Sequence, residues 1–242
     1  MIKIDHVDVY GWEAAIRGMR NPMNSWEKSD SVFDCNDCEC IKCKHFCKES
    51  CTVGIALCIG ENDLSLMRKL CKAGSDHRKF MRFITVTFDL TAPLYFLKEW
   101  DTYKVSTVSN SCSTMHKIHA KEFTLDDFSH EHLALTADGW VTDNNGHKWC
   151  DPATTLETLK NTLNACRDLY LNTKDKVWWW QMIQLLPSSY NQKRTVLLNY
   201  EVLRNMYHAR KAHKLDEWRE FCKWIETLPY SELITEVWSA TD

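Results

Sequence analysis

The sequence predicts an α/β fold, of the α+β kind, built on a central sheet with helices against it. Three observations carry this. Residues 2–10 alternate like a strand, with Ile2, Ile4, His6 and Asp8 on one face and Val7 and Val9 on the other. In Phe80–Leu90, Ile84, Val86, Phe88 and Leu90 alternate with Thr85, Thr87 and Asp89, the pattern of a strand with one buried face. Beyond residue 152, apolar residues recur instead at steps of three and four, the period of helices.

Each element has its local reasons. Trp12–Arg20 reads as a helix that Asn21, Pro22, Asn24 and Ser25 end. Residues 26–60 carry the cysteine cluster and show no period. Glu61–Gly74 is a helix with Asn62 or Asp63 as its cap, a stripe of Leu64, Met67, Leu70 and Cys71, and Gly74 at its left-handed stop. Pro93 opens a short helix through Trp100. Asp138–Trp149 is a hairpin turned by Asn144, Asn145 and Gly146. Thr154 and Glu157 form a capping box ahead of a helix whose stripe is Leu156, Leu159, Leu163, Cys166 and Tyr170. Further helices are expected at Val177–Leu186, Arg194–His213 and Asp216–Leu228, with Pro187 and Pro229 as stops.

The chain of 242 residues is 44% hydrophobic and 26% charged, which is globular rather than disordered, and one domain accommodates it. A net charge of -3 supplies no general field for duplex nucleic acid. No stretch approaches the roughly 18–20 apolar residues of a membrane helix. The start also lacks the basic and apolar run of a secretory signal. A cytoplasmic protein is therefore expected.

Four features hold chemistry. Six of the twelve cysteines, Cys35, Cys38, Cys40, Cys43, Cys47 and Cys51, stand in one short segment. Thiolates two residues apart chelate one tetrahedral ion, so four of the six can hold a zinc; free thiols on a surface loop are the alternative. The second feature is the segment 99–116, dense in hydroxyls and amides. There Asn110, Ser111 and Ser113 can meet phosphate, sugar or base, and Lys104 adds a point charge. Third, Asn199, Leu203, Met206, Arg210 and His213 share one face if the 194–213 helix is continuous, and Arg210 is the residue suited to a bidentate phosphate contact. Fourth, Trp178, Trp179 and Trp180 point three ways on a helix, so one or two are core and the remainder meets a partner. His116 and His119 have a metal pair's spacing but no third ligand, and read as ordinary polar histidines.

In order along the chain, these segments resemble the flavin-dependent thymidylate synthases. The resemblance is carried by the opening strand and helix, by Glu61–Thr87, by Phe88–Trp100, and by Asn199–Trp218 with its Asn199 and Arg210. It implies a central, mostly antiparallel sheet flanked by helices, with 26–60 as a Cys-rich insertion loop and 129–150 as a hairpin insertion, FAD as cofactor, a small nucleotide as ligand and a homotetramer. The signature departs from the family. Thr102, Tyr103 and Lys104 stand at its Arg-His-Arg, Cys112 or Ser113 at its Ser, and Asn110 or Ser111 at its Glu. Glu99 replaces the preceding Gln, and Glu201 stands where a second Arg is common. Carried over, the candidate nucleotide contacts are Arg210, Lys104, Tyr103, Asn110, Ser111, Ser113 and Asn199, and the candidate cofactor contacts are Glu99 and His208.

Two functions follow as expectations. The favoured one is a non-catalytic protein that captures a nucleotide, a signalling one in a phage–host conflict. The alternative is a flavin-dependent methylase or hydroxymethylase of dUMP or a related pyrimidine nucleotide. A structural protein that uses its cysteine loop for contacts is the plainest reading.

Overall fold

The computed structural model describes residues 2–33 and 58–237. Its main sheet has four strands: β1 (Lys3–Tyr10), β2 (Thr85–Pro93), β3 (Val108–Ser111) and β6 (Asn191–Asn199). They lie in the order β1-β2-β6-β3 and the sheet is antiparallel. β2 and β6 are central, and each is buried on alternate residues: Val86, Phe88, Leu90 and Ala92 on β2, and Val196 and Leu198 on β6. The two edges are unlike the centre. β3 is four residues long and wholly exposed, and β1 carries His6 at a φ of 52°.

The chain divides into two compact units, through both of which the long strands run. The first comprises 6–88, 103–108 and 196–242. In it α1 (Trp12–Arg20) follows β1 across Gly11. That glycine has a φ of 89°, and a Cβ on it would lie 1.9 Å from the Phe83 carbonyl oxygen, so the sharp entry into α1 requires glycine. The helix buries Trp12, Ala15, Ile16, Met19 and Arg20. α2 (Glu61–Lys72) ends before Gly74, whose φ of 102° is the expected left-handed stop. α6 (Tyr200–Arg210), α7 (Asp216–Ile225) and the single-turn α8 (Glu232–Thr235) complete the unit. Trp218, Phe221, Cys222 and Ile225 of α7 are buried, and the Phe88 ring sits 4.7 Å from that of Trp224.

The second unit comprises 1–5, 89–102 and 109–195. It contains α3 (Leu94–Trp100), the hairpin β4 (Trp140–Thr142) and β5 (Lys148–Cys150), α4 (Pro152–Thr173) and α5 (Lys176–Leu185). The expected stripe of α4 is its core face. Leu156, Leu163 and Cys166 join Ile118, Phe123, Phe128 and Met182 in one cluster, against which Leu159, Tyr170, Trp178 and Trp179 pack. Trp180 is half exposed. Among the described residues no helix is long and apolar enough to cross a membrane.

Several expectations are corrected. Residues 194–199 belong to strand β6, not to a helix; the alternation of buried Val196 and Leu198 with exposed Thr195 and Leu197 outweighs the helical pattern that follows. Residues 78–82 form a 3-10 turn, so β2 starts at Thr85 rather than Phe80. The α4 cap is Asp151, whose carboxylate accepts from the Thr154 N–H at 2.7 Å, in place of the Thr154–Glu157 box. Hydrogen bonds from the backbones of Thr136 and Thr154 pull the Asp151 carboxyl down to about 2.

Asp63 is not the α2 cap either. Asp30 takes that part, accepting from the Asn62 and Asp63 N–H groups. Asp63 is fully buried and pairs with Arg20, whose Nε donates to it at 2.7 Å. Its other oxygen accepts from the hydroxyls of Ser29 and Ser31 and the backbones of Asp30 and Ser31. Arg20 also donates to the carbonyls of Ser25 and Lys28. A buried pair survives only when its remaining valences are met in this way.

Burial alone would raise the Asp63 carboxyl, but the bonds from Ser31, Ser29 and Arg20, with the Arg20 charge, hold it below the ordinary carboxylate value. A group with a depressed folded pKa stabilises the fold above its unfolded value, about 3.9, and that stability is lost as pH falls through the folded value. Asp63→Ala leaves Arg20 buried and uncompensated, so urea unfolding at neutral pH is expected to show a loss of about 3–5 kcal/mol. The gap between wild type and variant should narrow below about pH 4. Equal midpoints at neutral pH would mean that the pair is not what holds these segments.

Candidate functional site

The residue that sequence analysis placed at the centre, Arg210, ends α6 in the first unit. α6 starts where β6 stops. Asn199 closes the strand and caps the helix, its Oδ1 accepting from the Val202 N–H at 3.0 Å, and the Tyr200 N–H donates to the Ile84 carbonyl. From there the helix runs through buried Tyr200, Val202, Leu203, Met206 and Tyr207 until its last turn reaches the surface. A cation in that turn suits the negative end of the helix dipole.

Two aromatic rings fix the Arg210 guanidinium. Its Nε donates to the Tyr103 hydroxyl at 3.0 Å. Its central carbon lies 4.9 Å from the Trp218 ring centroid and 5.7 Å from that of Tyr103. The two rings meet edge to face at 5.9 Å, with the His213 ring 6.4 Å from Trp218. Cation–π contact on a desolvated indole orients the guanidinium plane before any ligand arrives. Lys104, next to Tyr103 in the chain, is exposed.

Trp218 was missed as a site residue. In the sequence it shares an apolar helix face with Phe221, Cys222 and Ile225, and such a face signals core. Only the contact with Arg210, eight residues earlier and across a turn, shows its second part.

The other candidates separate into presented and engaged groups. Asn110 and Ser111 lie on β3 in the second unit with both side chains exposed. Ser113 is engaged, its hydroxyl accepting the N–H groups of Met115 and His116 to form a turn. Glu99 is half buried near the end of α3, where its carbonyl accepts from Thr102. Asn199 is corrected from a helix-face residue to a cap, because the strand extends to it. His208 is engaged too: its Nε2 lies 3.0 Å from the Ile234 carbonyl, so it donates there. Burial, and then the Arg204 charge, lower its pKa. Beside it Arg204 donates to the carbonyls of Leu233, Ile234 and Glu236. Together they hold the C-terminal turn. Glu201 takes both contacts from the Arg78 Nε.

Among the described residues no three His, Cys, Asp or Glu side chains group to hold a metal ion. Cys35, Cys38, Cys40, Cys43, Cys47 and Cys51 lie outside the described residues. The buried thiols offer no nucleophile. Burial pushes Cys71 up to about 12 and Cys222 up to about 11, so both are protonated at neutral pH.

Solved structures match nearly the whole chain, among them the following three. One is thymidylate synthase X (ThyX) from Helicobacter pylori with FAD and dUMP, at 15% identity over 97% of each chain and a TM-score of 0.60. A second structure of ThyX from the same organism, also with FAD and dUMP, matches at 14% identity over 96% of this chain and 97% of that one, with a TM-score of 0.62. This is the ThyX fold. The third match is the UMP/dUMP methylase PolB from Streptomyces cacaoi bound with 5-Br dUMP, at 13% identity, 97% and 95% coverage and a TM-score of 0.54. No protein-family model matches the sequence, and no curated protein matches it. The likeness to ThyX therefore lies in backbone architecture, and what the chain does rests on its own side chains.

The flavin that the ThyX fold implies has little to hold it here. Of the two candidate cofactor contacts, His208 is used on a backbone carbonyl and Glu99 is a carboxylate, which can only accept. Lys104 is the one cation left at the eroded Arg-His-Arg. This donor set does not fit a flavin phosphate.

Proposed function

We propose that this protein captures a nucleotide and does not turn it over. The observation that carries the reading is the full-length match to three structures that each hold dUMP or its bromo analogue. On this reading Arg210, oriented by Tyr103 and Trp218, meets the phosphate, and Lys104 adds charge. The misfit of the donor set to flavin supports capture over catalysis, because in cofactor enzymes the protein must bind and orient the group that does the chemistry. A nucleotide used as a signal is the natural cargo of such a site.

Calorimetric titration of dUMP, FAD and cyclic di- and oligonucleotides tests this. Arg210→Ala should weaken the best ligand roughly 30- to 1,000-fold, the loss of a charged contact of about 2–4 kcal/mol. Arg210→Lys should recover part of the affinity, since a point charge cannot reproduce the fork. The purified protein is expected to be colourless. A yellow preparation with one flavin per chain would instead favour the methylase of dUMP or a related pyrimidine nucleotide. Equal affinity in all three proteins would make Arg210 a structural residue only.

The assembly belongs to the same proposal. Trp180, Val177 and Leu185 leave an exposed apolar strip along α5, of the kind that anchors contacts between copies. Light scattering should report a homotetramer at micromolar concentration, and a stable monomer would overturn it.

We also propose, on spacing alone, that four of the six clustered cysteines hold a structural zinc. Elemental analysis of protein purified without chelator should find about one zinc per chain. Metal-free protein with all six thiols reactive would refute that.

A further inference from the structure

A concavity lies in the first unit, lined by none of the residues discussed for nucleotide capture. It has a volume of about 230 Å³ and is floored by Ile16 and Arg20 of α1, with Trp26 and Phe33 as aromatic walls and Glu13 and Arg17 at its rim. That is below the roughly 300–1,000 Å³ of pockets for drug-sized ligands, so it has room for one ring system.

The chemistry of the lining is specific. All three Arg20 guanidinium nitrogens are committed, to Asp63, Ser25 and Lys28, so the floor is polar in name only. The Trp26 indole is half exposed, and its Nε1 donates to the Asn21 side chain at 2.8 Å. This contact fixes the ring in one orientation as a ready stacking surface. Selectivity then falls to the rim. Glu13 and Arg17 sit one helical turn apart, 3.5 Å from each other and both largely exposed. Such a pair is worth little to the fold. A carboxylate only accepts hydrogen bonds and a guanidinium only donates them. An edge that offers two parallel donors beside an acceptor satisfies both partners at once, and among the bases that is the guanine edge, with its N1–H, amino group and O6.

We propose that this cavity binds a guanine-type heteroaromatic ring, stacked on Trp26, with Glu13 taking its paired donors and Arg17 its carbonyl oxygen. The site goes beyond the nucleotide capture proposed at Arg210 and does not depend on it.

The test is calorimetric titration of the full chain with guanosine, adenosine and uridine, nucleosides without the phosphate that Arg210 would recognise. Guanosine is expected to bind best. Trp26→Ala should weaken it at least roughly tenfold, the worth of one base–aromatic stack, and Trp26→Phe should retain most of the affinity. Glu13→Gln should bring guanosine down to the level of adenosine. Arg210→Ala should leave guanosine binding unchanged, which separates the two sites. Trp26 and Glu13 are exposed enough that their variants should keep the wild-type circular dichroism. The proposal is overturned if folded wild type gives no guanosine heat up to millimolar concentration. It is overturned equally if Trp26→Ala or Glu13→Gln binds like wild type, or if adenosine and guanosine bind alike.

Discussion

The first unit depends on a charge that was never left alone. Arg20 and Asp63, forty-three residues apart, meet where no water reaches, and six further hydrogen bonds from Ser29, Asp30 and Ser31 and to the Ser25 and Lys28 carbonyls surround them. One carboxylate thereby ties the end of α1, the turns after it and the start of α2 into a single knot. The same knot closes the base of the cysteine-rich segment: Val32 and Cys58 pair backbone to backbone, and the Ser31 hydroxyl accepts from the Gly60 N–H. The chain thus leaves at Val32 and returns at Cys58 in one place. The orientation of α1, and with it the rim formed by Glu13 and Arg17, follows from this pairing.

What the sequence made legible was governed by range. α1 was readable to the residue, because Trp12 starts an apolar face and Asn21 with Pro22 ends it. The alternation read over Phe80–Leu90 located β2, though not its start at Thr85, and Gly74 marked the left-handed stop of α2. Contacts of long range were not visible. Asp63 reads as a helix cap by position, and only the fold brings Arg20 to it. β6 was hidden because a short buried strand, Val196 and Leu198 with neighbours, is followed without a break by a strongly helical segment, and the period of the longer element dominates any window spanning both. The site was legible in the same partial way. Arg210 and Tyr103 were both singled out and they do meet. Asn199, Ser113 and His208 carry the right atoms, but the backbone had already claimed them.

This contrast explains how a fold can persist while its chemistry drifts. The central sheet, the capped helix after β6 and the apolar α7 are held by residues whose task is packing. The functional surface is decided by a handful of polar side chains whose loss costs the fold nothing. Tyr103 sets its phenol on Arg210 and its ring against Trp218.

The sheet edges have a consequence for the chain in crowded solution. A long, flat, unpaired strand offers its amides and carbonyls to any other chain and seeds aggregation. Here one edge is only four residues, Val108–Ser111, three of them polar, and the other is interrupted by the left-handed backbone of His6. Neither presents a straight ribbon on which a second molecule could extend the sheet. The protein can thus expose apolar side chains on its helices for selective contacts while its backbone stays closed to indiscriminate ones.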